Sequence, residues 1–102
     1  MKVKQFYNKN QFLIEDKGEK YLQSYESIVA KINHNGVLTL GKHWNYSKTT
    51  LKHLYLFLND FVRYNINVLL IPFINEILTS NNKKKTIQKL IDNNIIKINY
   101  EL

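Results

Sequence analysis

An α+β fold, a small antiparallel sheet of three or four strands packed against two or three C-terminal helices, is what this sequence of 102 residues predicts. Three observations carry that prediction. Short β-type runs punctuated by turn residues fill positions 1–44, an apolar period of three and four residues opens after Trp44, and the tail returns to alternation. With 44% apolar residues, among them seven Tyr, five Phe and one Trp, the chain can bury a core, which sets it apart from charged disordered segments. Its length suits a single domain, 1–102, with mainly strands in 1–44, mainly helices in 47–94 and a closing strand in 95–100.

The elements follow in order. Gln11-Phe12-Leu13-Ile14 and Lys20-Tyr21-Leu22-Gln23 flank the polar stretch Glu15 to Glu19, the pattern of a hairpin. Ile28, Ala30 and Ile32 alternate with Val29 and Lys31, and His34-Asn35-Gly36 then reverses the chain into Val37-Leu38-Thr39-Leu40. Asn-Gly tolerates the positive φ angles of a tight turn. Ser47 can cap a helix whose buried face carries Leu51, Leu54, Tyr55, Leu58, Phe61 and Val62. Its other side collects Lys48, Lys52, Asn59 and Arg63, and Arg63-Tyr64-Asn65 marks its end. A second helix falls within Asn67 to Leu78, with Pro72 in its first turn. After Thr79-Ser80-Asn81-Asn82 and the triplet Lys83-Lys84-Lys85, a third helix spans Thr86 to Asp92, and Ile95 to Tyr100 alternates as a strand.

Composition narrows the chemistry. The chain has no Cys, which removes disulfides, thiolate metal sites and cysteine nucleophiles together and suits a reducing compartment. The N-terminus has no apolar stretch of the secretory kind, and the longest apolar run, Val68 to Ile74, is too short to cross a bilayer. A cytoplasmic location in a bacterial host, with no membrane partner, is the expectation. The net charge is +7, but 14 Lys against one Arg, with 14 Asn and 12 Ile, is also what codons rich in A and T produce. Lys offers a point charge for phosphates, whereas Arg supplies the planar fork that reads base edges. Binding of nucleic acid would therefore lean on backbone and shape.

Enzyme signatures are missing. Three glycines form no phosphate loop, there is no nucleophile elbow, and Glu15, Asp16, Glu19 and Glu26 read as solvating carboxylates. An acid–base set of Tyr25, Glu26 and His53 would need the fold to assemble it. His34 reads as a turn residue, His43 as a loop residue and His53 as a half-exposed helix residue. None shares a helix face with another at metal-ligand spacing. No cofactor, no metal and no catalysis is the expectation.

Two basic regions remain. In the first, Ser47, Lys48, Thr49, Thr50, Lys52 and His53 open the first helix, where free backbone N–H groups and Lys could hold an anion, with Trp44 and Tyr46 beside them. Local capping by Ser47 and the threonines, with the aromatics packed over the sheet, is the competing reading. In the second, Lys83, Lys84, Lys85 and Lys89 form a cluster with no acid nearby. If it shares a surface with Lys48, Lys52 and Arg63, the patch fits a nucleic-acid backbone, and Tyr46 or Tyr55 can stack on unpaired bases.

The segment Leu22 to Ile32 with its Ser24-Tyr25-Glu26-Ser27-Ile28-Val29-Ala30, then Gly36 and Leu38, then Tyr46-Ser47-Lys48-Thr49-Thr50-Leu51-Lys52-His53, resembles a family of short phage- and plasmid-encoded proteins of unknown function. Their shared pattern is Ser-Tyr-x-Ser/Thr-x-Val/Ile-Ala followed by Tyr-Ser-x-Thr-Thr-x-x-His. The resemblance runs from about Tyr21 to Leu58 and implies a mobile-element origin without assigning residue roles. The expectation is a non-enzymatic accessory protein that binds nucleic acid or a host nucleoprotein complex stoichiometrically, an anti-CRISPR-like inhibitor of a defence nuclease among its forms. The alternative is a protein-interaction module, a homodimer pairing through a sheet edge or the apolar face from Val68 to Phe73.

Overall fold

Tight turns dictate the first half of the molecule, and the computed structural model describes residues 1–62 and 71–102. Strands β1 (Lys2–Phe6), β2 (Asn8–Asp16), β3 (Glu19–Ser24), β4 (Ser27–Ile32) and β5 (Leu38–Gly41) run as an antiparallel meander. Strand β6 (Lys97–Asn99) returns to lie parallel to β5, so the sheet has the order β1-β2-β3-β4-β5-β6. The fold is α+β with the sheet N-terminal and the helices C-terminal, as predicted, but the sheet has six strands where three or four were expected.

Strand β1 accounts for part of the difference. Lys2 to Gln5 are all exposed and only Phe6 is buried, so the segment lacks the alternation by which a half-buried strand is recognised. Lysines suit such an edge because they discourage pairing with a second chain. The polar stretch after β2 shrinks to a two-residue turn, Lys17 (φ +53) and Gly18 (φ +81), the left-handed pair that a tight hairpin requires. At the β4–β5 reversal Gly36 has φ +79, as the Asn-Gly pair foretells. The organiser is Asn33, whose Oδ1 accepts from the backbone of Asn35 (2.9 Å) and Val37 (3.0 Å).

Strand β4 carries a bulge. Leu22 pairs with Ala30 and Gln23 with Ile28, which leaves Val29 as the extra residue. Consecutive residues Val29 and Ala30 therefore both point inward, at 1% and 0% exposure, where regular alternation would bury only one.

Helix α1 (Lys48–Phe57) crosses the inner face of the sheet against β3 and β4. Ser47 caps it as expected, its Oγ accepting from Thr50 N at 3.1 Å. Where the sequence predicts continued α-helix, the chain widens into a π-helical turn at Leu58–Val62. Helix α2 (Ile71–Thr79) has Pro72 in its first turn, where the missing N–H costs nothing. Helix α3 (Lys83–Asp92) starts three residues before the predicted Thr86, because Asn82 caps it by accepting from Lys85 N at 3.1 Å. The core lies between Leu13, Leu22, Ala30 and Leu40 of the sheet and Leu54, Phe57, Leu58, Ile77, Ile87 and Leu90 of the helices. The helix end expected at Arg63-Tyr64-Asn65, and the part of the Val68 to Phe73 apolar face that precedes Ile71, lie outside the described residues, while Ile71, Pro72 and Phe73 open α2.

The exposed Tyr7 hydroxyl donates to Asp60 Oδ2 at 2.5 Å and ties the β1–β2 turn to the π-helical turn. That hydrogen bond raises the Tyr7 phenol above its ordinary value of 10.0, with smaller contributions from desolvation and the Asp60 charge. A raised acid is stabilising below the unfolded value and loses that contribution as pH climbs through the folded one. In a difference-absorbance titration of single Tyr→Phe variants, Tyr7 is expected to ionise above an exposed tyrosine and to return to the ordinary value in Asp60→Asn.

Candidate functional site

Two concave features flank α1. The first is a cleft of about 680 Å³ between the β3–β4 turn and the start of α1. Ser24, Tyr25, Glu26 and Ser27 form the turn wall. Tyr25 has φ +55, a left-handed conformation that non-glycine residues seldom adopt. It is held there from both sides, its N–H donating to Asn10 O and its carbonyl accepting from the Gln23 side chain, each at 2.7 Å. The ring stands 57% exposed at the rim. Ser24 is buried, and its Oγ accepts at 2.9 Å from Nε2 of the wholly buried Gln11, so it keeps its own O–H to donate. Gln11 Oε1 has no hydrogen-bond partner among the described residues.

The opposite wall comes from His43, Tyr46, Ser47, Thr49 and Thr50, and Val29, turned inward by the bulge, lines the cleft between the walls. Tyr46 is 79% exposed, with its ring edge-on to His43 at 5.9 Å between centroids. Glu26 is the one carboxylate of this lining, and the lining contains no lysine.

The second feature is an open groove of about 430 Å³ between α1 with the turn after it and helices α2 and α3. Lys52, Tyr55, Leu56 and Asn59 line one side, and Asn75, Leu78, Thr79 and Lys83 the other. Lys83 Nζ lies 5.3 Å from the centre of the Tyr55 ring and donates to Ser80 O at 3.2 Å. Burial raises the Tyr55 phenol above 10.0, so it is a neutral donor at physiological pH. Thr49 faces the cleft and Lys52 the groove. Three residues apart on one helix, they are surface neighbours separated by about 4.5 Å of rise.

The structure sorts the sequence-predicted residues into three groups. Lys52, Tyr55 and Lys83 meet in the groove, with Lys48 one turn before Lys52 and with exposed Lys84, Lys85 and Lys89 on α3. Ser47, Thr49, Thr50 and Tyr46 line the cleft instead. Trp44 and His53, 3% and 4% exposed, are buried. Trp44 belongs to the core and cannot stack on a ligand as expected. His53, read from sequence as half-exposed, is turned in and bonds through Nδ1 to Thr49 O at 2.8 Å, so it does not join Tyr25 and Glu26 in an acid–base set. Thr50 is 3% exposed and serves the cap, its Oγ1 at 3.1 Å from Ser47 Oγ. Arg63 lies outside the described residues.

All eight carboxylate side chains fall among the described residues, whose ion pairs include Lys31 with Glu19 at 3.5 Å and the N-terminal amine with Asp16 at 4.0 Å. None of Lys48, Lys52, Lys83, Lys84, Lys85 and Lys89 is paired with an acid in this set. No group of three or more metal-ligating side chains, and no helix long and apolar enough to cross a membrane, occurs among the described residues.

What sequence reasoning missed is the serine pair of the turn wall, since Tyr25 and Glu26 were considered only as acid–base candidates. Ser24 and Ser27 pair across a two-residue turn, and their distance from Thr49 is set by the packing of α1 on β3 and β4, which no local pattern encodes.

No curated protein and no solved structure matches the chain. A family model does match, over residues 1–66, a span that holds the whole meander, α1 and every residue lining the cleft, but only one side of the groove. Because that span is about two thirds of the 102 residues, the chain belongs to a family of unknown function, DUF8033.

Proposed function

We propose that this protein acts by stoichiometric, non-catalytic binding to the phosphate backbone of a nucleic acid, presented free or within a host nucleoprotein complex in the bacterial cytoplasm. The convergence of Lys52 and Lys83 on one groove beside Tyr55 carries the reading. These two lysines come from separate basic regions of the sequence. Their meeting turns a diffuse +7 into a local feature with no acid paired to it. Lysines along a groove floored by an aromatic ring favour phosphate contact with sequence-tolerant stacking. In a mobile-element setting, the same surface would suit a chain that occupies the nucleic-acid channel of a defence nuclease. Self-pairing is less well supported, since the β1 edge carries exposed Lys2 and Lys4.

Fluorescence anisotropy with labelled single- and double-stranded DNA and RNA, from roughly 50 to 200 mM salt, tests this. The expected result is affinity that falls steeply with salt, and a Lys52→Ala/Lys83→Ala variant whose log–log salt slope is shallower by about 1.4 to 1.8, the loss of two phosphate contacts. Absence of binding at 50 mM salt, or a slope unchanged in the double variant, would remove the groove from consideration.

A further inference from the structure

The cleft is not explained by backbone binding. It lacks lysine, it combines an apolar lining with hydroxyls, and two largely exposed tyrosines stand on its opposite rims. We propose that it is a nucleobase pocket that takes one unpaired base carrying an exocyclic amine from the strand whose phosphates lie along Lys48 and Lys52. This inference rests on the nucleic-acid reading above and deepens it.

Three observations support the assignment. Tyr25 and Tyr46 supply faces on which any base can stack, and both are held away from the core, Tyr25 by its left-handed backbone and Tyr46 by its edge-on contact with His43. The polar lining is arranged for a flat, edge-decorated ligand. Ser24 presents an O–H from a 5%-exposed position, fixed by buried Gln11, and Glu26 presents only acceptors. A carboxylate accepts well from an amino group such as cytosine N4 and repels the O4 carbonyl that thymine and uracil place there. Finally, Thr49 of the cleft and Lys52 of the groove lie three residues apart on α1, about 4.5 Å along its axis, so the two features are neighbours on one helix. A base turned into the cleft therefore leaves its phosphate beside Lys48 or Lys52.

The test compares labelled oligo(dC) and oligo(dT) of ten residues with a duplex, using the full chain and its Glu26→Gln and Tyr46→Ala variants. Both side chains are exposed, and a thermal melt confirms that the variants fold. Wild type is expected to bind oligo(dC) at least about tenfold more tightly than oligo(dT), the ratio that one charge-assisted hydrogen bond supplies. Glu26→Gln should bring that ratio close to one, whereas mere loss of a negative charge would tighten both strands equally and leave it intact. Tyr46→Ala should weaken single strands about tenfold and leave the duplex unchanged. Equal binding of the two oligonucleotides by wild type, or a ratio that survives Glu26→Gln, overturns the base pocket while leaving the groove standing. Failure of every oligonucleotide to bind at 50 mM salt overturns both.

Discussion

Gly41→Ala is expected to melt about 12 to 24 °C below the parent protein, a very large effect for one added methyl group. A Cβ at Gly41 would stand 2.1 Å from the backbone carbonyl oxygen of Ile28 and 3.6 Å from Leu102 Cβ. The closest obstacle is main chain, so no rotamer change relieves it. Its origin is the bulge, since Ile28 immediately precedes the extra residue Val29 on the strand beside β5. Either β4 or β5 must shift, and because the obstacle is main chain at 2.1 Å the cost falls at the upper end of the overpacking range, about 3 kcal/mol, which at about 4 to 8 °C per kcal/mol gives the range above. Gly18→Ala is the control. Its φ of +81 is strained for alanine, but the nearest atom lies at 3.6 Å, so it should lose only about 1 kcal/mol. A Gly41→Ala protein that melts with Gly18→Ala, as followed by far-UV circular dichroism, would show that the bulge does not press on β5.

Phe57→Ala is the second large expectation, at about 3 to 5 kcal/mol. Phe57 is 0% exposed and ends α1, where the helix widens into the π-helical turn. Removing the ring leaves a hole among residues that both the sheet and the helices contribute to the core. Against a total stability of about 5 to 15 kcal/mol, that is enough to populate unfolded chain at 37 °C. Urea denaturation should show a lowered midpoint with little change in slope. A loss under about 1 kcal/mol would mean that the site collapses around the gap.

The parts of the fold legible in the sequence were those with local causes. Asn35-Gly36 placed a reversal, Ser47 placed a helix start to the residue, and the alternating tail from Ile95 contained a true strand. The parts that escaped depended on neighbours distant in sequence. Lys2 to Gln5 form a strand because β2 offers them backbone partners, and their side chains need bury nothing. The bulge at Val29 arises from a register that only the paired strands define. For the site, Lys52 and Lys83 were both singled out from charge, but their meeting depends on how α1 packs against the α2–α3 pair. Ser24 and Ser27 entered the sequence reading only as members of a motif, and the turn places them in the cleft that Thr49 also lines. His53 shows the reverse error, because a helix face read as polar from Lys52 alone was already committed to the core.

The parallel pairing of β5 with β6 joins Thr39 to Lys97, Leu40 to Ile98 and Gly41 to Asn99, partners 58 positions apart in each case. During translation at about 5 to 20 residues per second, β1 to β5 can zip together as each hairpin emerges, while the far edge of β5 waits roughly 3 to 12 s for its partner. Over that interval the nascent chain shows its neighbours on the polysome an open row of amides and carbonyls. Unlike the lysine-guarded β1 edge, this row runs along Leu38-Thr39-Leu40-Gly41 with no charge to repel a second copy. Yield in the cell should therefore depend on elongation speed through the α2 and α3 codons, a kinetic vulnerability invisible in the finished sheet.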